Sequence, residues 1–157
     1  MSGFQIDVQT QDFSLDSEYQ RIRSVADNPG AIVTFTGLVR ELYPQKGGGK
    51  ETEELFLEHY PGMTEKCLSD IANEAKQRWD ITACRIIHRV GALLPGEQIV
   101  LVVTASAHRA DAFEAAQFIM DYLKTKAPFW KRQTDKKGSH WVEQRGSDDD
   151  AAIRWNK

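Results

Sequence analysis

The sequence predicts one α+β domain, 1–157, in which a mixed or antiparallel sheet is covered by two main helices, with a short N-terminal helix and a C-terminal hairpin. Three observations predict this fold. Runs rich in β-branched and aromatic residues alternate with two long stretches of helical period. The 157 residues are 41% hydrophobic, which suffices for a core without metal or disulfide staples. The run Ile99–Thr104 is apolar almost throughout, as is typical of a strand buried on both faces.

The N-terminal third contains two predicted strands and a short helix. Phe4–Val8 alternates with period two and predicts a strand. Leu15–Ala26 follows Ser14, a good helix-capping residue, and predicts the short helix. Ala31–Thr36 is rich in β-branched residues and predicts the second strand. The mostly polar stretch 41–53 contains three consecutive glycines, so we expect a mobile loop there.

The central part contains the two main helices. Leu55–Tyr60 predicts a strand, and a helix over Thr64–Trp79 follows it. Ile81–Val90 has β character, and Ala110–Lys126 is the longest predicted helix, which Pro128 prevents from continuing. The first of these helices carries an apolar stripe at helical spacing, formed by Leu68, Ile71, Ala72, Ala75 and Trp79.

The C-terminal part predicts a hairpin and a tail. Phe129–Arg132 is a predicted strand, Lys136–Gly138 a turn, and Trp141–Glu143 the returning strand. Residues 146–157 are polar and include three consecutive aspartates, so we expect a loosely held tail.

Composition and charge exclude several classes of protein. Twenty basic against 23 acidic residues give a net charge of −3, which excludes a globally basic nucleic-acid coat protein. No window approaches the roughly 18 consecutive apolar residues of a membrane helix, and the N-terminus does not resemble a secretory signal. We therefore expect a cytoplasmic protein. Cys67 and Cys84 show no metal-ligand spacing, so reduced thiols and no metal are expected.

Cationic residues mark the candidate site. His108 and Arg109 stand where the buried strand gives way to the longest helix, and helix N-termini attract anions. A second group surrounds Pro128, where Lys124 and Lys131 flank the break. A lysine beside other cations and apolar rings has the environment of a nucleophile or an acid–base group.

Alternatives to this interpretation remain open at the level of residues. His108 and Arg109 could simply be exposed before the first helical turn. The basic and aromatic segment Lys124–Arg132 also fits a non-catalytic module that binds anions or single-stranded nucleic acid. Arg40, taken alone, is an ordinary surface arginine. His59 and His88 lie in strand patterns without an acidic partner, and we interpret both as structural.

Several motifs together resemble the large, catalytic subunit of molybdopterin synthase, from about Phe4 to Trp155. They are Val33–Gly37 with Arg40, Leu57–Glu65, Ser106–Arg109 and Phe118–Arg132. The resemblance implies an enzyme, a sulfurtransferase of molybdenum cofactor biosynthesis that converts cyclic pyranopterin monophosphate to molybdopterin. It implies that each of the two dithiolene sulfurs arrives as a thiocarboxylate on the C-terminal glycine of a small ubiquitin-like carrier subunit. No cofactor is implied.

The resemblance also implies roles for individual residues. It makes Lys124 and Lys131 the catalytic residues. Leu38 stands where some members carry lysine, so a substrate contact there must use the backbone or be absent. The implied substrate-binding set is Leu38, Val39, Arg40, His108, Arg109, Lys124, Lys131, Arg132, Gln133 and Arg145.

Helix geometry adds an expectation about assembly. Along one straight helix, 16 residues separate the backbones of His108 and Lys124 by about 24 Å. The resemblance nevertheless places both in one substrate pocket. The simplest resolution is a two-fold homodimer in which His108 and Arg109 of one chain complete the site of the other. With one carrier at each end, the assembly is a heterotetramer.

Overall fold

The computed structural model describes residues 3–40, 54–135, 138–142 and 146–156. The loop expected at 41–53 and the turn at 136–137 lie outside this range. The elements run in the order β1 (Phe4–Gln9), α1 (Leu15–Val25), β2 (Ala31–Leu38), β3 (Glu54–His59), α2 (Met63–Arg78), β4 (Ile81–Arg89), β5 (Gly91–Leu93), β6 (Gln98–Ser106), α3 (Arg109–Lys126), β7 (Phe129–Asp135), β8 (Gly138–Val142) and α4 (Gly146–Ile153). The α+β class and the C-terminal β7–β8 hairpin are confirmed.

The described strands form two sheets, where the sequence predicted one. Sheet 1 has the order β1-β4-β6-β2, in which β1 pairs with β4 in parallel and the other pairs are antiparallel. Sheet 2 has the order β5-β3-β7-β8 and is antiparallel. Strand periodicity alone does not tell which strands pair, because pairing is a long-range choice. The three-residue β5 was too short to be predicted.

Helices cover both faces of sheet 1. Along β6, Val102 belongs to a cluster with α2 and α3, whereas Val103 belongs to a cluster with Ile22 of α1. This alternation confirms the prediction that the apolar strand is buried on both faces. Phe118 of α3 is fully buried and meets Trp79 edge-on, with 5.2 Å between ring centres.

The C-terminal segment is packed, so the expectation of a loosely held tail was wrong. The Trp155 side chain is 8% exposed and meets Phe118 edge-on. Its Nε1 donates a hydrogen bond to Asp121 of α3 at 2.6 Å, and Arg78 of α2 donates to its carbonyl at 2.7 Å. A single tryptophan holds this mostly polar segment against the core. The average polarity of the segment therefore gave the wrong prediction.

A buried arginine joins β4 to β1 and α1. Arg85 is 5% exposed and donates to Asp7 at 2.6 Å and to Glu18 at 2.8 Å. We expect Arg85→Met to lower the free energy of unfolding by roughly 2–4 kcal/mol, because a partly buried carboxylate loses its partner. Urea denaturation measures this. Lys66→Met breaks the exposed Lys66–Asp70 pair and is the control; a loss as large as that of Arg85→Met would contradict the explanation.

Candidate active site

A buried histidine lies where the two sheets meet. His88, near the end of β4, stacks on Phe129 at the start of β7, with 3.9 Å between ring centres. Its Nδ1–H donates to the Arg89 carbonyl at 2.8 Å, which leaves Nε2 as an acceptor. Burial lowers the pKa of His88 from 6.5 to about 3, so the ring is neutral at physiological pH.

Both predicted catalytic lysines influence this ring through their charges. Burial is the largest cause of the low pKa of His88. The charges of Lys124 and Lys131, and that of His59, lower this pKa further. The charges of both lysines therefore act on the same buried ring. From the sequence, we interpreted His59 and His88 as structural residues. That interpretation did not show that the charge of His59 also acts on the His88 ring. The strand register that sets His59 opposite Phe129 places it there, and no local pattern shows that register.

The break between α3 and β7 positions the two lysines. Lys124 is exposed in the last turn of α3, and Lys131 is the third residue of β7. Between them, the Pro128 carbonyl accepts a hydrogen bond from the fully buried Thr64 hydroxyl at 3.0 Å. The Thr64 oxygen also accepts from the Tyr60 N–H at 2.9 Å. The start of α2 thus fixes the segment that joins the two lysines.

Arg132 lies on the opposite face of β7 from Lys131, because successive side chains of a strand alternate. Its guanidinium carbon lies 4.8 Å from the ring centre of Phe56 and 6.0 Å from that of Trp141. Within one chain, Arg132 is therefore held by aromatic rings and is not brought to the lysines. The backbone of Gln133 continues β7, and Arg145 lies outside the described residues.

The end of β2 holds the next predicted group. Leu38 and Arg40 are exposed, whereas Val39 is buried. The Val39 N–H donates to the Glu97 carbonyl at 2.8 Å, and its own carbonyl accepts from the Gly96 N–H at 2.6 Å. Val39 therefore anchors the backbone and presents its two neighbours to solvent.

The remaining predicted pair stands at the other end of α3. His108 is the N-cap residue, Arg109 begins the helix, and both are exposed. The His108 N–H donates to the Ser106 hydroxyl at 3.2 Å. Gly30 permits the close packing below this turn, since a Cβ there would lie 2.1 Å from the Ala107 carbonyl oxygen. About 24 Å of helix separates His108 from Lys124, so one chain does not bring them together.

The thiols and acidic groups offer little further chemistry. The two cysteines form no disulfide, as predicted, and burial raises the pKa of the Cys84 thiol to about 12. In the part of the chain that the structure describes, no three His, Cys, Asp or Glu side chains are grouped to hold a metal ion.

Within the same ranges, no helix has both the length and the apolar character needed to cross a membrane.

The neutral state of His88 has a consequence for stability at acid pH. Its folded pKa lies below the unfolded value, so its contribution is complete above pH 6.5 and is lost as the pH falls towards 3. Between pH 6.5 and pH 4.5 we expect the neutral His88 to lower the free energy of unfolding by roughly 2–3 kcal/mol. His88→Phe retains a ring over Phe129 and cannot titrate. Chemical denaturation at both pH values should show a smaller decrease for this variant; equal decreases would contradict a neutral His88.

Comparison with known proteins defines the class to which this fold and site belong. The profile of the family described as MoaE protein matches residues 8–126. The molybdopterin synthase catalytic subunit of Escherichia coli (strain K12) is 52% identical over 99% of this chain and 100% of its own length. The chain belongs to the MoaE family.

Solved structures agree with this assignment. The molybdopterin biosynthesis MoaE protein from Burkholderia ambifaria MC40-6 superposes with a TM-score of 0.82 at 47% identity, covering 100% of this chain and 99% of that one. Molybdopterin synthase from Staphylococcus aureus gives a TM-score of 0.75 at 33% identity, covering 91% and 98%. The family predicted from the motifs is confirmed. The chain is an enzyme with a role in molybdopterin biosynthesis, as expected.

Proposed function

We propose that this chain transfers sulfur from the C-terminal thiocarboxylate of a small ubiquitin-like carrier subunit to cyclic pyranopterin monophosphate, forming the dithiolene of molybdopterin. The observation that carries the proposal is that Lys124 and Lys131 flank the Pro128 break, where Phe129 stacks on His88, and that the charges of both lysines act on that ring. Two ammonium groups offset the negative charges of a thiocarboxylate and a phosphate. The name of the relatives, catalytic subunit, agrees with a separate carrier subunit.

Lys124 and Lys131 are the catalytic residues of this proposal. Sulfur bonds to a carbon of the pterin substrate while its bond to the acyl carbon of the carrier breaks, and water converts that carbon to a carboxylate. The two cations stabilise the negative charge that develops in this step, and a preorganised donor of this kind contributes roughly 3–4 kcal/mol. His88 supports them by remaining uncharged, since a third positive charge beside the lysines would repel both.

A partner must supply the sulfur because this chain has no activated thiol at the site. Cys84 is completely buried and its raised pKa keeps it protonated, whereas a thiolate is the reactive form. Cys67 lies on α2, whereas Lys124 lies on α3 and Lys131 on β7. The reduced thiols are also consistent with a cytoplasmic location, which we propose for this enzyme.

The carrier is proposed to insert an extended Gly-Gly tail towards the lysines. Glycine is required where two backbones approach closely, because any side chain would collide. Replacing the terminal glycine of the carrier by leucine should therefore abolish sulfur transfer, measured as product after stoichiometric mixing. A carrier changed outside the tail is the control. Unchanged transfer by the leucine variant would rule out insertion.

The proposed assembly is a two-fold homodimer with one carrier at each end. His108 and Arg109 of one copy supply the anion-binding end of the site that contains Lys124 and Lys131 of the other copy. This arrangement follows from the length of α3, which keeps these groups about 24 Å apart within one chain. Arg40, which is exposed just after β2, is proposed to contact the same substrate.

The competing function is binding of single-stranded nucleic acid by the basic and aromatic segment. The structure disfavours it, because Phe129 stacks on His88 inside the protein and only Trp130 is exposed. Fluorescence anisotropy with a labelled oligonucleotide, and its salt dependence, tests this alternative. The direct test of sulfur transfer is incubation with thiocarboxylated carrier and cyclic pyranopterin monophosphate. Dithiolene product supports the proposal, and its absence with an active carrier refutes it.

A further inference from the structure

A second buried arginine of β4 joins three segments of the chain. Arg89 is 6% exposed, and its guanidinium group is directed at backbone carbonyls. Its Nε and Nη2 donate to the Thr10 carbonyl at 3.2 and 3.0 Å, and its Nη1 donates to the Gln98 carbonyl at 2.8 Å. Thr10 follows β1, and Gln98 begins β6. One planar guanidinium therefore ties the end of β4 to both of these segments.

The chain just before Gln98 forms a tight turn. The Glu97 N–H donates to the Leu94 carbonyl at 3.0 Å, and one Glu97 carboxylate oxygen accepts from the Leu94 N–H at 2.6 Å. The other carboxylate oxygen lies 3.7 Å from Nη1 of Arg89. Gly96 has a φ of 90°, which glycine adopts without strain. The turn is thus closed by its own hydrogen bonds and is held to the core by Arg89.

This turn in turn holds the backbone that leads to Arg40. The Val39 N–H donates to the Glu97 carbonyl at 2.8 Å, and the Val39 carbonyl accepts from the Gly96 N–H at 2.6 Å. β2 ends at Leu38, and its pairing with β6 is irregular there. The two bonds to the turn therefore fix the residue just before Arg40, and they set the direction in which the exposed Arg40 leaves the sheet.

The backbone of Arg89 also contacts the other half of the site. Its carbonyl accepts the hydrogen bond from Nδ1 of His88, the ring that stacks on Phe129. The next residue, Val90, is buried in one apolar cluster with Val39. Residues 88–90 thus connect the His88 ring to the Val39 backbone through one short piece of strand.

We infer that Arg89 is a positioning residue for substrate binding, because it fixes the turn that holds Arg40 in place. The inference rests on the proposed function, which assigns Arg40 to the substrate. Arg89 acts through the backbone, since its side chain is only 8% exposed and its N–H groups are directed at carbonyls. Arginine is suited to this role because its planar group presents five N–H donors, whereas lysine presents a single charged centre.

Arg85 provides a matched comparison on the same strand. Arg85 and Arg89 are four residues apart, so they lie on the same face of β4, and they are 5% and 6% exposed. Arg85 donates to Asp7 of β1 and Glu18 of α1, and these residues do not belong to the turn before β6. Removal of either arginine should lower stability, but removal of Arg89 should also release the turn.

Single-turnover kinetics with thiocarboxylated carrier test the inference. Arg89→Met should lower the second-order rate constant for cyclic pyranopterin monophosphate by about 10- to 100-fold, because a displaced binding group is no longer aligned. Arg85→Met should leave this constant near the wild-type value. Gly96→Ala strains the same turn through its positive φ and leaves the buried charge in place, so it should also lower the constant. Gly96→Ala decides the question if Arg89→Met does not fold.

A double-mutant cycle with Arg40→Ala separates positioning from a general loss of structure. If Arg89 acts through Arg40, Arg89→Met should have little further effect on the rate constant once Arg40 is alanine. The same should hold for Gly96→Ala. Additive losses, an equal loss in Arg85→Met, or an Arg40→Ala variant with the wild-type rate constant would each overturn the inference.

Hydrogen exchange gives a readout that does not depend on product. The Val39 N–H should exchange roughly 10-fold faster in Arg89→Met than in the wild type or in Arg85→Met, because its acceptor on the turn is released. Unchanged protection of Val39 in a folded Arg89→Met would overturn the inference whatever the activity. Faster exchange in a chain whose wild type forms no product supports the positioning of Arg40 by Arg89 and refutes the proposed reaction, so the two failures are distinguishable.

Discussion

Lys124→Ala should abolish formation of the dithiolene product, with a fall in turnover of roughly 100- to 1,000-fold or more. The variant removes one of the two cations grouped around His88, while the side chain itself is exposed, so folding should be unaffected. Single-turnover assays with thiocarboxylated carrier measure the loss, and a thermal melt establishes that the variant is folded. The pKa of His88, followed by NMR, should rise because a nearby positive charge has gone.

Lys126→Ala is the matched control for this experiment. Lys126 lies two residues further along the same helix, and its amine lies 4.1 Å from the centre of the Tyr122 ring, on another side of the helix from Lys124. It has the same charge and a similar sequence environment but no place in the proposed site. Near-wild-type turnover in Lys124→Ala, or an equal loss in Lys126→Ala, would contradict the assignment of Lys124.

Coexpression of two inactive chains should restore activity if the site is shared between copies. We expect Lys124→Ala and His108→Ala to be inactive separately. In a hybrid dimer, one site receives the intact Lys124 of one chain and the intact His108 of the other. Random pairing of equal amounts makes half of the dimers hybrid, each with one intact site, so about a quarter of wild-type activity should return. Turnover per total chain measures this fraction.

A double variant provides the complementary control. A Lys124→Ala/His108→Ala chain mixed with an equal amount of wild-type chain leaves no intact site in the hybrids. Activity should then fall to about a quarter of the all-wild-type value, whereas a site contained in one chain would leave about half. Recovery of no activity in the first mixture, together with half activity in the second, would refute the shared site.

Local features of the sequence determined most of the fold. Alternating β-branched runs predicted the strands, and the apolar stripe ending at Trp79 predicted α2 within one residue at either end. Pro128 located the end of α3, because proline lacks the amide proton and clashes with the preceding turn. Lys124 and Lys131 were selected as candidates for the same reason, since they flank that break. Such features depend on neighbours within a few residues and can be read from the chain itself.

The tertiary structure decided which distant residues meet. The register of β3 against β7 brought His59 to Phe129, and His88 stacks on the same Phe129 ring. The charges of both lysines act on His88 there. Alternation along β7 directed Arg132 away from Lys131, although the two are adjacent in sequence. Trp155 fixed the tail through its hydrogen bonds with Asp121 and Arg78 and its packing on Phe118. Sequence determines local conformation because steric effects and periodicity act within a few residues. Sheet pairing and burial instead depend on which distant surfaces exclude water together, and only the packed fold decides which surfaces meet.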